Sequence, residues 1–133
     1  MASGDVDGDG TLDLMVGAPM AVTQSGRVHV VSGTSLVAGS WEMSDVSFVS
    51  YTGPTIFGQS GSAIASNGDV NGDGLDDILV GAMADPTMGT DSGAVWLIIS
   101  GMSGQRALAD ADASFWGGSA SDQTGVSVGM ADM

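Results

Sequence analysis

The chain carries one arrangement of residues twice, and this internal repeat limits the fold more than any other feature of the sequence. Five positions recur 64 residues later with the same residue types: Asp5, Gly10, Asp13, Gly17 and Ala18 become Asp69, Gly74, Asp77, Gly81 and Ala82. Further matches join "GRVHVVSG" to "GAVWLIISG", "DVSF" to "DASF", and "GQSGSAIA" (58–65) to "DQTGVSVG" (122–129). A repeat that covers nearly the whole chain predicts an array of similar units.

Each copy predicts short β-strands separated by glycine-rich turns. The apolar runs "LDLMVGA" and "DDILVGA" have the length of strands, and "VHVV", "VWLII", "VSFVSY" and "ASFW" are rich in β-branched or aromatic residues. The small-residue segments "SAIA" and "VSVG" suit a crowded inner strand. Only "SGQRALADADA" (103–113) looks helical. About four strands per ~65 residues predict an all-β fold built from propeller blades or from halves of a β-sandwich.

The two segments "DVDGDGTLD" (5–13) and "DVNGDGLDD" (69–77) predict metal sites. Alternate residues of a tight loop point inward, glycine permits the sharp turn, and oxygen-only ligands suit Ca²⁺ better than Mg²⁺. The sequence therefore predicts two Ca²⁺ per chain. The expected ligands are the side chains of Asp5, Asp7, Asp9 and Asp13 with the carbonyl of Thr11, and the side chains of Asp69, Asn71, Asp73 and Asp77 with the carbonyl of Leu75.

The EF-hand begins with a similar spacing but does not fit these loops. It requires a bidentate glutamate at loop position twelve and flanking helices. That position holds Val16 in the first copy and Val80 in the second, each inside a predicted strand. An acidic turn without metal is the simpler alternative, but two copies that both end in an aspartate before a strand disfavour it.

Charge and composition exclude several classes of partner. The chain has 16 acidic residues against two Lys and Arg, and its formal charge is −14. Nucleic acid and anionic membranes would repel such a surface. There is no cysteine, which excludes disulfides and thiolate metal sites, and the apolar run "AVWLII" is too short to insert into a membrane. The acidic, lysine-free balance favours a secreted or cell-surface protein.

The sequence resembles the FG-GAP repeats of integrin α-subunit β-propellers and their bacterial relatives. The resemblance rests on "FGQSGSAIASNGDVNGDGLDDILVGAM" (57–83) and on "GDVDGDGTLDLMVGAP" (4–19). Phe57-Gly58 stands at the FG position, and Gly17-Ala18-Pro19 at the GAP position. Met83 replaces the proline of the second copy, and Asp122 replaces the glycine at the start of the third.

The resemblance implies four-stranded blades with Ca²⁺ held in the loop between the first and second strands of each. It also implies a non-catalytic scaffold, or a platform for protein binding and adhesion. The alternative is a carbohydrate-binding or polysaccharide-processing propeller, because Trp41, Trp96 and Trp116 could stack on sugars.

Other polar residues receive simpler interpretations. His29 is the single histidine and matches Trp96, which predicts a packing role in a strand rather than a catalytic one. Asp85, Asp91, Asp110 and Asp112 are expected on solvated loops.

The predicted boundaries are 1–56 for the first repeat, 57–121 for the second and 122–133 for the start of a third. The first repeat is expected to contribute strands B, C and D without an inner strand A, and residues 124–129 to form one further A strand. Such a chain would close a ring by self-association, as a cyclic homo-oligomer of three or four copies that share blades. Its ligand would be a protein or a glycan.

Overall fold

The computed structural model describes residues 1–101 and 103–131. These residues form two β-sheets with few helices, which confirms the prediction of an all-β fold. The strands are β1 (Ala2–Gly4), β2 (Asp13–Ala18), β3 (Arg27–Val31), β4 (Val49–Thr52), β5 (Ala63–Ala65), β6 (Ile78–Ala82), β7 (Ala94–Ile98), β8 (Gly104–Ala107) and β9 (Ala113–Trp116).

The helical pieces are all single turns. They are α1 (Ala21–Gln24), α2 (Met43–Val46) and two 3₁₀ turns, Gly33–Ser35 and Leu108–Asp110. Within α1 the backbone is left-handed, with φ of 52° at Val22 and 56° at Thr23. No helix among the described residues is long and apolar enough to cross a bilayer.

The strands β1 to β4 form the first blade, and β5, β6, β7 and β9 form the second. Within each blade neighbouring strands are antiparallel and follow the order of the sequence. Val28 of β3 is paired with Tyr51 of β4, and Val95 of β7 is paired with Phe115 of β9. Because Val28 and Val95 are equivalent, the register makes Tyr51 equivalent to Phe115. The sequence match of "DVSF" with "DASF" had aligned Phe48 with Phe115, which is three residues away from the alignment given by the strand register.

The inner strands differ from the sequence prediction. The first blade has its own inner strand, β1, whose Ala2 pairs with Met15 of β2, so the prediction of a blade without strand A was wrong. Residues 124–129 do not form the predicted strand, since Thr124 makes only an isolated bridge to Gly93. The last two residues of the predicted third repeat, Asp132 and Met133, lie outside the described residues.

The strand β8 joins the two repeats. It lies in the connection between β7 and β9 of the second blade, but it pairs in parallel with β4 of the first blade, as its fifth strand. This segment was predicted to be helical, and it is instead an exposed strand followed by a 3₁₀ turn.

One hydrophobic core spans both blades. It includes Met15, Val30, Val80 and Trp96, together with Leu108 of the turn after β8. The linker between the blades packs closely on the first of them, where Gly26 has a φ of 85° and forms a bridge to Ser60. A Cβ atom at Gly26 would collide with the carbonyl oxygen of Ser60, so the contact requires glycine. The same contact recurs between Gly93 and Thr124.

Candidate metal centre

Both aspartate loops lie at the same place in their blades. The first connects β1 to β2, and the second connects β5 to β6. Gly10 and Gly74 have φ of 84° and 90°, a left-handed conformation that glycine adopts without strain, as the turn prediction required. Each loop ends on a fully buried aspartate: Asp13 is the first residue of β2, and Asp77 immediately precedes β6.

In the first loop the carboxylates organise the backbone. The two oxygens of Asp5 accept hydrogen bonds from the N–H groups of Gly8 (2.8 Å) and Gly10 (2.9 Å). Asp7 accepts one from the N–H of Asp9 (3.1 Å), and Asp9 accepts one from the N–H of Thr11 (2.8 Å). The loop is thereby wrapped around its own acidic side chains.

Three of these carboxylates converge. One oxygen from each of Asp5, Asp7 and Asp13 lies within 4.8 Å of the other two. Among residues 1–101 and 103–131, no other group of three or more carboxylate, imidazole or thiol side chains is this compact. Asp9 is exposed and does not belong to the compact group, and Thr11 is exposed on the same loop.

Burial makes the ionised form of Asp13 unfavourable. Its side chain is fully buried and accepts hydrogen bonds from the N–H groups of Val6 (3.0 Å) and Gly33 (3.1 Å). Burial raises the pKa of Asp13 above 3.8, and the charge of Asp7 raises it further, while the backbone hydrogen bonds act in the opposite direction. The ionised form of Asp13 is therefore costly without a nearby positive charge.

The second loop follows the same plan with one amide. Asp69 accepts hydrogen bonds from the N–H groups of Gly72 (2.6 Å), Asp73 (3.1 Å) and Gly74 (2.7 Å). Asn71 donates from its side-chain nitrogen to Asp73 (2.8 Å), and Asp73 accepts from the N–H of Leu75 (2.9 Å). These bonds link four of the five predicted residues, all except Asp77, in one loop. The carboxylates of this loop do not form a compact group like that of the first loop.

Backbone hydrogen bonds stabilise the ionised form of Asp69. Those donated by Gly74, above all, lower the pKa of Asp69 below 3.8. The closing residue Asp77 is fully buried and accepts from the N–H groups of Val70 (2.8 Å) and Ser100 (3.0 Å).

The structure also brings the two loops into contact, through a residue that the sequence did not single out. The carboxylate of Asp76 accepts a hydrogen bond from the N–H of Asp5 (2.9 Å), and the N–H of Asp76 donates to the carbonyl of Asp5 (2.9 Å). The equivalent residue of the first copy is Leu12, so this departure from the repeat was the available signal.

The donor set of the first loop fits a hard cation. Ca²⁺–oxygen distances are about 2.3–2.6 Å, so oxygens within 4.8 Å of one another can share one ion. Neither loop contains a Lys, Arg or His to neutralise its acids. Buried carboxylates without such a partner are costly, and a divalent ion would remove that cost.

Other residues considered from the sequence have structural surroundings. His29 is 8% exposed, and its Nδ1 lies 3.3 Å from the hydroxyl of Ser47. Trp96 is 1% exposed and packs edge-to-face on Trp116, with ring centroids 5.9 Å apart. Trp41 is exposed.

The expectation of a solvated Asp85 was wrong. It is fully buried and accepts hydrogen bonds from the hydroxyl of Thr55 in the inter-blade linker and from the N–H of Thr87 (2.9 Å). Asp110 and Asp112 are exposed as expected, while Asp91 is half-buried.

Comparison with known proteins agrees with the repeat and its loops. The FG-GAP repeat family matches residues 1–31 and 60–98, which include both aspartate loops and more than half of the chain. Integrin alpha-4 of Xenopus laevis is 35% identical over 99 residues, covering 73% of this chain and 9% of that protein.

Two further relatives are also integrin α-chains. Integrin alpha-8 of Gallus gallus is 35% identical over 111 residues (77% of this chain, 10% of that protein), and integrin alpha-5 of Xenopus laevis is 38% identical over 80 residues (59% and 8%). The chain thus spans a tenth or less of the length of these relatives. The two matched segments each contain an aspartate loop and the strands that flank it, and the chain belongs to the FG-GAP repeat family.

Proposed function

We propose that the chain is a calcium-stabilised β-propeller module that binds other proteins, as a scaffold or adhesion platform. The observation that carries this proposal is the convergence of Asp5, Asp7 and Asp13 to within 4.8 Å, at a place in the blade that the second repeat reproduces. Similarity to integrin α-chains supports the protein-binding role.

Each loop would hold one ion, and each ligand has a defined task. In the first loop Asp5, Asp7 and Asp13 supply the converging carboxylates, and Asp9 and the Thr11 carbonyl complete the ligand set. In the second loop the ligands would be Asp69, Asn71, Asp73, Asp77 and the Leu75 carbonyl. The bound charge would allow the loop carboxylates to remain ionised while the loop backbone stays closed around them.

A binding role requires no catalytic machinery, and the surroundings of His29 support this assignment. The ring lines a pocket of about 130 Å³ together with Arg27, Ser44 and Gln105. Burial, and to a smaller extent Arg27, lowers the pKa of His29. No carboxylate among the described residues hydrogen-bonds to the ring, so a Ser–His–Asp arrangement is not formed there.

The carbohydrate-binding alternative has less support. Stacking on a sugar requires exposed aromatic faces. Trp96 is buried beneath Trp116, which leaves Trp41 and Trp116 on different repeats.

Two blades do not make a ring, because propellers have four to eight. The proposed module is completed by further blades, and three copies of the chain would supply six and four copies eight. Exchange of an inner strand is not needed, since β1 fills that position in the first blade. The proposal includes an extracellular location. Extracellular Ca²⁺ modules have Kd values of about 10⁻⁴ to 10⁻³ M, and the two proposed sites are expected to fall in this range.

Calorimetry on chelator-stripped protein tests the calcium assignment. Two Ca²⁺ sites per chain are expected, and the double variant Asp73→Ala/Asp77→Ala should retain only the first. Asp45→Ala, which changes an exposed carboxylate outside both loops, should retain both. Absence of Ca²⁺ binding by the unaltered chain would refute the proposal.

A further inference from the structure

The two blades differ at their outer edges. In the first blade β8 covers β4 and places Arg106 beside Tyr51, and Tyr51 is 3% exposed. In the second blade β9 is the outermost strand, and no described segment pairs with its outer side. Phe115, which is equivalent to Tyr51, is 54% exposed, and Trp116 is 38% exposed. The equivalent residues Tyr51 and Phe115 thus differ in exposure: the first is buried in the blade that has a fifth strand, and the second is exposed in the blade that has none among the described residues.

The cover of the first blade comes from the blade that follows it in the chain. The connection from β7 to β9 contributes the strand β8 and then Leu108, which is 1% exposed and joins the core cluster that contains Tyr51. The cover therefore consists of a parallel strand followed by one buried apolar side chain.

The first blade has its own connection between its third and fourth strands, and among the described residues no blade lies beneath this connection. Counted from the equivalent residues Val28 and Val95, the residues Val37–Ser40 correspond to β8, and Trp41 corresponds to Leu108. Val37 is 63% exposed and Trp41 is 51% exposed. Within the described part of the chain, these residues pair with no strand.

We propose that the segment Val37–Trp41 of one copy of the chain adds in parallel to the outer edge of β9 in a second copy. Trp41 then packs against Phe115, as Leu108 packs in the core cluster beneath β8. This contact would join the copies of the proposed ring. The number of copies in the ring rests on the proposed function.

The occupant is a second copy, because the chain already makes the equivalent contact between its own two blades, where β8 pairs with β4. Each chain carries −14, so most pairs of surfaces would place acids opposite acids. The segment 37–41, "VAGSW", and the strand 113–116, "ASFW", contain no charged residue. Since the segment lies in the first blade and the edge in the second, the contact is head-to-tail and can close a ring.

The test is the association of the whole chain in saturating calcium, measured by sedimentation up to about 1 mM, the weak end of specific binding. Trp41→Ser and Phe115→Ser should each weaken association about tenfold or more, because each removes a large apolar side chain from the contact. Met20→Ser is the matched control, since Met20 is 62% exposed, has an ordinary φ of −91° and lies outside both surfaces. Circular dichroism verifies that each variant is folded.

A mixing experiment examines the head-to-tail geometry. The Trp41→Ser chain keeps an intact edge, and the Phe115→Ser chain keeps an intact segment. An equimolar mixture should therefore form a one-to-one dimer and nothing larger. A chain that stays monomeric at about 1 mM, a mixture that forms no dimer, or an equal effect of Met20→Ser would overturn the inference. Calorimetry on the same samples separates the two proposals: a chain that binds calcium but does not associate contradicts only the inference drawn here.

Discussion

In the first aspartate loop three carboxylates crowd within 4.8 Å, whereas the second loop replaces one of them with Asn71 and surrounds Asp69 with backbone N–H groups. The pKa of the buried Asp13 is raised, and the pKa of Asp69 is lowered. These two residues close and open their loops respectively, so the direct contrast lies in the ligands. The first loop gathers three carboxylates, whereas the second has an amide in place of one of them, and three backbone N–H groups bind Asp69 against two at the equivalent Asp5. Ligand spacing alone does not determine how strongly folding and metal binding are coupled.

The third strands of the two blades show a similar contrast. His29 in β3 and Trp96 in β7 occupy equivalent, buried positions. His29 leaves a polar pocket beside it, whereas Trp96 fills its site and packs on Trp116. The second blade therefore depends more on apolar packing at this position than the first.

The largest effect is expected from truncating Trp96. Trp96→Ala should lower the free energy of unfolding by about 3–5 kcal/mol, because it leaves a large cavity in the core. His29→Ala at the equivalent position should cost less than about 2 kcal/mol, since the ring removed is smaller and borders a pocket. Denaturant unfolding in calcium measures both variants, and equal losses would remove the packing contrast.

Next in size is the loss of a loop-closing carboxylate. Asp77→Ala leaves the N–H groups of Val70 and Ser100 without their acceptor, and because both sites are only partly buried the total loss should be about 1–3 kcal/mol. Asp13→Ala also removes the acceptor of two N–H groups, those of Val6 and Gly33, but it should cost less than Asp77→Ala in chelator because it also removes a buried charge that is unfavourable there. The two variants are compared by thermal unfolding with and without calcium. A greater loss for Asp13→Ala in chelator would contradict the proposed difference between the loops.

Exchanging the residue that distinguishes the loops should change calcium affinity by about tenfold, since affinity follows the ligand charge count. Asp7→Asn is expected to weaken the first site, and Asn71→Asp to strengthen the second. Titration calorimetry of each single variant measures the change. If both substitutions shift affinity in the same direction, the loops do not differ in the way proposed.

The smallest expected effect is a pH dependence of the first blade. Because the pKa of His29 is lowered from 6.5, the unfolded chain takes up the proton first as the pH falls. Stability should therefore decrease as the pH falls through 6.5 toward the folded-state pKa. His29→Gln should make melting temperatures in saturating calcium nearly constant across this range. A decrease that persists in His29→Gln would assign the effect to other groups.

The sequence located strands wherever apolar residues dominate. The ends of β2, β3, β6 and β7 were predicted to within about two residues, because each of these buried strands is a run of mostly apolar side chains. The aspartate loops were equally visible, since turn glycines and acids repeat in them at fixed spacing. The calcium they are predicted to hold stays a prediction.

The elements that sequence reasoning missed depend on distant partners. β1 consists of Ala, Ser and Gly, and β8 is an exposed polar strand, so neither carries a hydrophobic pattern. Asp85 is buried because Thr55, 30 residues away, supplies its hydrogen bond. The segment 124–129 has the composition of β5, but it is not assigned to a strand because no described strand pairs with it.

The pairing of β8 with β4 has a consequence for the order of folding. The outer strand of the first blade acquires its neighbour only after residues 104–107 have been synthesised, more than 50 residues later. Repeats that contact each other only at simple interfaces can fold one after another. Here the earlier unit keeps an open edge until the later one is complete, so we expect the two repeats to gain their full stability together, at a rate limited by this long-range closure.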